Sequence, residues 1–180
     1  MYIGLIAKRY ASALLEFASG QGQADLVYHQ ARELIKYFQT NPKIKAEIAS
    51  PVISSKIKSG IILGGVKDVC SAFERFIAMV INHKREEHLL FMLNSFTQQY
   101  EKENGIANVI LTVAAPVGDE IVGGVGEIVR KHTGCKSVQM ENRVDERLIG
   151  GFTLRIADRQ MDASVARELK DLKDILLGKL

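Results

Sequence analysis

A side chain can do chemistry only as part of a set, because a nucleophile needs a base and a metal ion needs several ligands. The four histidines are His29, His83, His88 and His132. The nearest two are five residues apart, which on a helix points them at different parts of the surface, so no spacing suits a shared metal. Cys70 and Cys135 stand 65 residues apart with no C-x-x-C pair. They read as ordinary buried thiols of a reducing compartment rather than a disulfide framework. Gly123-Gly124-Val125-Gly126 resembles part of a phosphate-binding loop. It lies inside a helical pattern with no Lys-Ser/Thr pair behind it, so it reads as a helix weakened by three glycines. Asp158 and Asp162 precede a helix start, where acidic groups serve as caps and dipole partners rather than as an acid–base pair. No Gly-x-Ser-x-Gly elbow is present. The expectation is a chain without catalytic, cofactor-binding or metal-binding residues.

Composition narrows the classes further. With 180 residues, one domain or two small ones fit. Hydrophobic residues make up 47% and charged residues 25%, so the chain can bury a core and is not a disordered scaffold. A net charge of +3 is too weak for a dedicated nucleic-acid binder. Residues 1–104 carry 13 basic and 10 acidic groups and residues 105–180 carry 11 of each, so neither part is a basic patch. The longest charge-free stretch, Asn104 to Gly118, is shorter than the ~20 residues of a membrane-spanning helix and contains Pro116. The N-terminus lacks the basic segment, apolar core and cleavage site of a secretory signal.

Residues 1–104 read as six short helices in a bundle. The first runs from about Ile3 to Ala18 and stops at Gly20 and Gly22; the second carries Val27, Ala31, Leu34, Ile35 and Phe38 on one face. Pro42 opens a short third helix with Ile44 and Ile48, and Pro51 breaks it. Ser54 or Ser55 caps a fourth with Ile57, Ile61 and Ile62, ended by Gly64-Gly65. The fifth is expected over about Lys67–Asn82 and the sixth over about Glu86–Glu103. At Asn104-Gly105 the period changes to strand alternation at Val109, Leu111 and Val113. A helix follows with Ile121, Val122, Val125, Ile128 and Val129, then strands at Val138–Met140 and Phe152–Ile156 with a turn over Asn142–Glu146. A last helix starts near Asp162 or Ser164 and aligns Val165, Leu169, Leu172 and Leu176, a stripe expected to cover the sheet. Residues 105–180 are thus a small α+β domain.

The first helix carries more apolar surface than one core needs. Ile6, Tyr10, Ala13 and Phe17 form one stripe, and Ala7, Ala11, Leu14 and Ala18 a second beside it; with Leu15 they span roughly 200°. The fifth, with Val66, Val69, Ala72, Phe73, Phe76, Ile77, Met79, Val80 and Ile81, covers a similar arc. Two readings stay open. Either both helices are central and wrapped by the rest, or together they leave a groove for an amphipathic helix of another protein.

Several sequence blocks carry a family resemblance. Arg9-Tyr10-Ala11-Ser12-Ala13-Leu14 resembles the opening RYAxAL-type motif of the delta subunits of rotary ATP synthases, which are similar to the mitochondrial oligomycin-sensitivity-conferring protein. Asn82-His83-Lys84-Arg85 resembles that family's N-x-x-R element. Asp145-Glu146-Arg147-Leu148-Ile149-Gly150-Gly151-Phe152 resembles its D-x-x-L-I-G-G-F element, and Asp162-Ala163-Ser164-Val165 its D-x-S-V element. Order and spacing agree from the first helix to the last. Val117 and Gly118 depart from the family's Leu and Ser/Thr, which weakens one helix cap.

The resemblance implies a non-catalytic stator subunit without cofactor, linking the catalytic head to the peripheral stalk so that rotor torque drives synthesis. It implies that the bundle binds N-terminal helices of the alpha subunits and that the C-terminal domain holds the b subunits. Carried over by position, the groove would use Ile6, Tyr10, Ala13 and Phe17 with Phe76, Met79, Val80 and His83, Ala13 allowing close approach. Arg9, Arg85, Asp145, Gly150, Gly151, Phe152, Asp162 and Ser164 would be structural, with Arg85 bracing the turn after the fifth helix. The implied location is the cytoplasmic face of a bacterial inner membrane, peripheral through the complex. A free-standing helical adaptor is the alternative, and an enzyme the third reading.

Overall fold

The computed structural model describes residues 3–50, 53–156 and 159–177; Pro51 and Asp158 lie outside them. The chain divides into two compact units, Met1–Glu101 and Lys102–Leu180. The first contains α1 (Ile3–Gly20), α2 (Ala24–Thr40), α3 (Pro42–Ala49), α4 (Ser55–Leu63), α5 (Ser71–Asn82), a 3₁₀ turn (Glu86–His88) and α6 (Leu89–Asn104). Its core is built where the apolar period repeats: Ala7, Ala11, Leu14 and Ala18 from α1, Val27, Ala31 and Leu34 from α2, Phe73 and Ile77 from α5, Met92, Leu93 and Phe96 from α6.

Two helices end in the same way. After α1, Gly22 takes a left-handed backbone (φ 66°), and the Gln23 amide donates to the Ala18 carbonyl at 2.9 Å. After α5, Lys84 takes that conformation (φ 53°), with the Lys84 amide on Ile81 O at 2.9 Å and the Arg85 amide on Val80 O at 3.1 Å. A non-glycine residue there costs on the order of 1 kcal/mol, so the turn is held for a reason beyond its own local preference.

The fifth helix starts four residues later than its sequence suggested. Buried Gln30 of α2 donates through Nε2 to the Asp68 carbonyl at 2.7 Å and accepts at Oε1 from the Cys70 amide at 3.2 Å. Gln23 Oε1 accepts from the Ala72 amide at 3.3 Å. These side chains offer the 67–70 backbone partners that a helix would otherwise supply, and the segment folds as a loop, with Asp68 at φ 48°. Both cysteines are half-buried rather than buried. Buried Lys58 of α4 and half-buried Glu86 of the 3₁₀ turn make an ion pair.

The second unit contains β1 (Ile106–Val113), α7 (Asp119–Thr133), β2 (Ser137–Val144), β3 (Gly151–Ile156), β4 (Arg159–Ser164) and α8 (Val165–Leu176). The sheet runs β2-β1-β3-β4, with β1 and β2 parallel and β3 and β4 antiparallel to their neighbours. Val109, Leu111, Val113 and Leu154 point to one face and bury with Val129 of α7, flanked by Val125, Val138, Met140 and Phe152. Gly126 of α7 faces Met140, whose Cε sits 3.4 Å from where a β-carbon would be, an ordinary van der Waals distance.

The structure adds to or corrects the sequence reading at three places in this unit. The strand β4 was not foreseen, because Arg159-Gln160-Met161-Asp162 has neither β-propensity nor alternation; its pairing with β3 makes it a strand. Ile121 and Ile128 of α7 are exposed, since the inward face of the helix is the one centred on Val125 and Val129. The stripe of α8 does not cover the sheet. Val165, Leu169, Leu172 and Leu176 are all exposed, Leu176 at 85%, and no described residue of α8 is buried.

Candidate partner-binding site

The two apolar stripes of α1 go to different places. Ala7, Ala11, Leu14, Leu15 and Ala18 are buried, whereas Ile6 and Tyr10 are half-buried and Ala13 and Phe17 are exposed. The outer stripe therefore borders solvent beside α5. On α5 the expectation needs a correction: Met79 and His83 reach the surface, but Phe76 and Val80 are 4% and 0% exposed and belong to the core. Phe76 stacks on Phe73 at 6.5 Å between ring centres. Buried positions 72, 73, 76, 77, 80 and 81 occupy the inward face of α5, so the residues at 76 and 80 support the surface from below while 79 and 83 lie on its flank.

At the end of this face the side chains converge. Tyr10 Oη lies 3.0 Å from His83 Nδ1, with the two rings edge to face. Arg85 Nη1 donates to the same hydroxyl at 3.0 Å, and its guanidinium lies 5.5 Å from the Tyr10 ring centre, within cation–π range. The left-handed turn at Lys84 places Arg85 where it can reach back to α1. That explains the strained residue: the turn after α5 and the first helix are bound into one unit by Tyr10, His83 and Arg85. Arg9, beside Tyr10 in sequence, is exposed.

The blocks at Asp145–Phe152 and Asp162–Val165 sit in the C-terminal unit as a backbone device. Asp145 Oδ1 accepts from the Arg147 amide at 3.0 Å, forming the turn that leads to Gly150 and Gly151. Gly151 has φ 77°, and a β-carbon there would stand 2.2 Å from the Ala163 carbonyl, so β4 can pair only with glycine at this point. Phe152, opposite Ala163, starts the inward face of β3. Ser164 caps α8, its Oγ accepting from the Arg167 amide at 3.3 Å, and Asp162 Oδ1 accepts from the Ser164 amide at 3.0 Å. The Ser164 hydroxyl, and then its amide, hold the Asp162 carboxyl below its ordinary pKa by hydrogen bonding. The Gly150 carbonyl accepts from the Val165 amide at 3.1 Å, tying the start of α8 to the loop that exposes Ile149 at 75%.

Among the described residues, no group of three or more His, Cys, Asp or Glu is placed to hold a metal ion. The surface carries an apolar stripe with a polar, cationic end on one unit, and an uncovered amphipathic helix on the other.

The model of the family described as ATP synthase delta (OSCP) subunit matches residues 6–176. The chain is 36% identical over 179 residues to the ATP synthase subunit delta of Parabacteroides distasonis, covering 98% of each. It is 34% identical to that of Phocaeicola vulgatus, covering 99% of this chain and 97% of the relative. Its backbone resembles a chain of the Toxoplasma gondii mitochondrial ATP synthase hexamer with a TM-score of 0.69 over 95% of this chain and 97% of that one. At 19% identity this is a likeness of fold.

Proposed function

The chain belongs to the ATP synthase delta (OSCP) subunit family, and from that premise we propose how its two units divide the work. A delta subunit is a structural, non-catalytic component that links the catalytic head of the synthase to its peripheral stalk. It acts by resisting torque: a head not held by the stalk would turn with the rotor, and rotation would drive no synthesis.

The N-terminal unit, read as a six-helix bundle, binds the N-terminal helices of the alpha subunits. The observation that carries this is the outer stripe of α1, where Ile6, Tyr10, Ala13 and Phe17 continue to Met79 and His83 of α5 as a surface that the bundle itself does not bury. An amphipathic helix fits such a surface because its own apolar stripe has the same period. Phe17 and Met79 serve as its anchors, and Ala13 leaves room between them. The C-terminal unit holds the b subunits of the stalk, supported by the apolar face of α8 and the neighbouring Ile149. Membrane attachment is indirect, since no helix among the described residues is long and apolar enough to cross a bilayer. The bacterial relatives support a place at the cytoplasmic face of the inner membrane.

Titration of the full-length chain with a synthetic peptide of the alpha-subunit N-terminus, followed by calorimetry, tests the groove. Saturable binding weakened by Ala13→Asp supports it. Absence of binding, or binding indifferent to that substitution, moves the head contact elsewhere.

A further inference from the structure

At the cationic end of the α1/α5 face, Arg85 carries more hydrogen-bond donors than the described residues engage. Arginine carries only donors, so the contact between Arg85 Nη1 and the Tyr10 hydroxyl has one possible sense: the oxygen accepts. The Tyr10 proton is then free for His83 Nδ1, 3.0 Å away, and a neutral imidazole that accepts at Nδ1 carries its proton on Nε2. What remains unengaged is a set of guanidinium N–H groups on half-buried Arg85 and, with the Tyr10 proton donated to Nδ1, the Nε2–H of exposed His83. Among the described residues none of these has a partner, and no carboxylate pairs with Arg9, Lys84 or Arg85. Of the acidic residues that follow in sequence, Glu86 pairs through Oε1 with Lys58, and Glu87 lies 3.1 Å from His88.

A fixed guanidinium with unengaged N–H groups is complementary to a carboxylate. The Tyr10 ring lies against one side of the guanidinium and shields it from water, so an ion pair formed there is screened less than one on open surface. The site is continuous with the apolar stripe. Phe17 lies two turns along α1 from Tyr10, a distance of about 10 Å at 1.5 Å per residue.

We propose that Arg85, positioned by Tyr10 and together with His83, receives one carboxylate side chain of the docked helix. The partner is therefore an amphipathic helix that lays apolar residues over Ala13, Phe17 and Met79 and sets an Asp or Glu about seven residues from the anchor opposite Phe17. The proposal rests on the groove reading above and adds the partner's charge and register to it.

The test is a double-mutant cycle between the full-length chain and the amidated alpha-subunit N-terminal peptide, with each acidic residue of the peptide replaced in turn by its amide. On the unmodified chain, one such replacement should weaken binding about tenfold and the others should not, a value in the range of charge-assisted pairs. Arg85→Gln should weaken the parent peptide by a similar factor and abolish the effect of that one replacement. His83→Gln, which keeps an N–H donor, should bind better than His83→Leu. If the peptide binds and responds to Ala13→Asp but no acidic position matters on the unmodified chain, the cluster is only an internal brace and the proposal fails while the groove stands. If the peptide does not bind, both fail. The peptide-side replacements need no altered protein, so a folding defect in an Arg85 variant cannot obscure the outcome.

Discussion

Ala13 is the smallest side chain on the outer stripe of α1, and its exposure makes binding and stability separable there. In the free chain, Ala13→Asp places a charge in water, and the cost is that of Asp inside a helix, up to about 0.7 kcal/mol. In the complex the same carboxylate would be covered by a helix and unpaired, which costs several kcal/mol. A thermal melt lowered by only a few degrees in Ala13→Asp, with peptide affinity reduced at least a hundredfold, is expected; equal loss of both would assign Ala13 to the bundle core. A second residue ties stability to pH. Tyr100 is buried, stacks on Tyr28 at 4.4 Å and donates its hydroxyl to Asp25. Burial, then the Asp25 hydrogen bond and charge, push its pKa up to about 12. A raised pKa favours the protonated form in the folded state, so this contribution is complete below pH ~10, the unfolded value, and is lost as the pH rises toward 12. The bundle should soften over that window, and in circular-dichroism melts Tyr100→Phe should flatten the alkaline decline. An unchanged slope would mean another group dominates.

At the scale of elements, α8 separates what a pattern shows from what it cannot. The spacing of Val165, Leu169, Leu172 and Leu176 reveals an apolar face, but periodicity carries no information on what buries it, and the sheet is already covered by α7. Because Leu169 and Leu172 are 54% and 56% exposed, replacing both with Ser should leave the melt of the C-terminal unit nearly unchanged, whereas Leu111→Ala, at 1% exposure between β2 and β3, should cost about 2–5 kcal/mol. A large loss from the α8 pair would show that the helix packs on its own sheet in solution. The same limit governed the candidate site. Both stripes of α1 are legible in sequence and so is the surplus of apolar surface, yet the inward choice of Phe76 and Val80 depended on where the other helices lie. The contact of Arg85 with Tyr10 spans 75 positions and left no periodic trace, although the N-x-x-R block marked its place. The strand β4 was invisible because its hydrogen bonds to β3, rather than its side chains, define it. The late start of α5 follows from one glutamine, Gln30, competing for the 68–70 backbone.

At the scale of the whole molecule, function lies in the chain's holding two partners at once. The division into Met1–Glu101 and Lys102–Leu180, each with its own core, means that one grip can be broken while the other persists. A fragment of residues 1–104, which keeps all of α6, should melt cooperatively as a helical unit and retain affinity for the alpha peptide. The full chain with Leu169→Ser and Leu172→Ser should remain on the head, because its bundle is untouched, and should lose its hold on the stalk, because the uncovered face of α8 has become polar. Reconstituted vesicles carrying this variant as the sole copy then distinguish a link from a bystander. Hydrolysis by the head requires no stator and should continue near its normal rate. Gradient-driven synthesis requires the head to stay still against the rotor and should fall several-fold or more, with the b subunits washing off complexes that still contain the variant. Normal synthesis with the b subunits retained would show that α8 is not the grip, and the stalk contact would then have to be sought elsewhere in the C-terminal unit, beginning with Ile149 and the exposed face of α7.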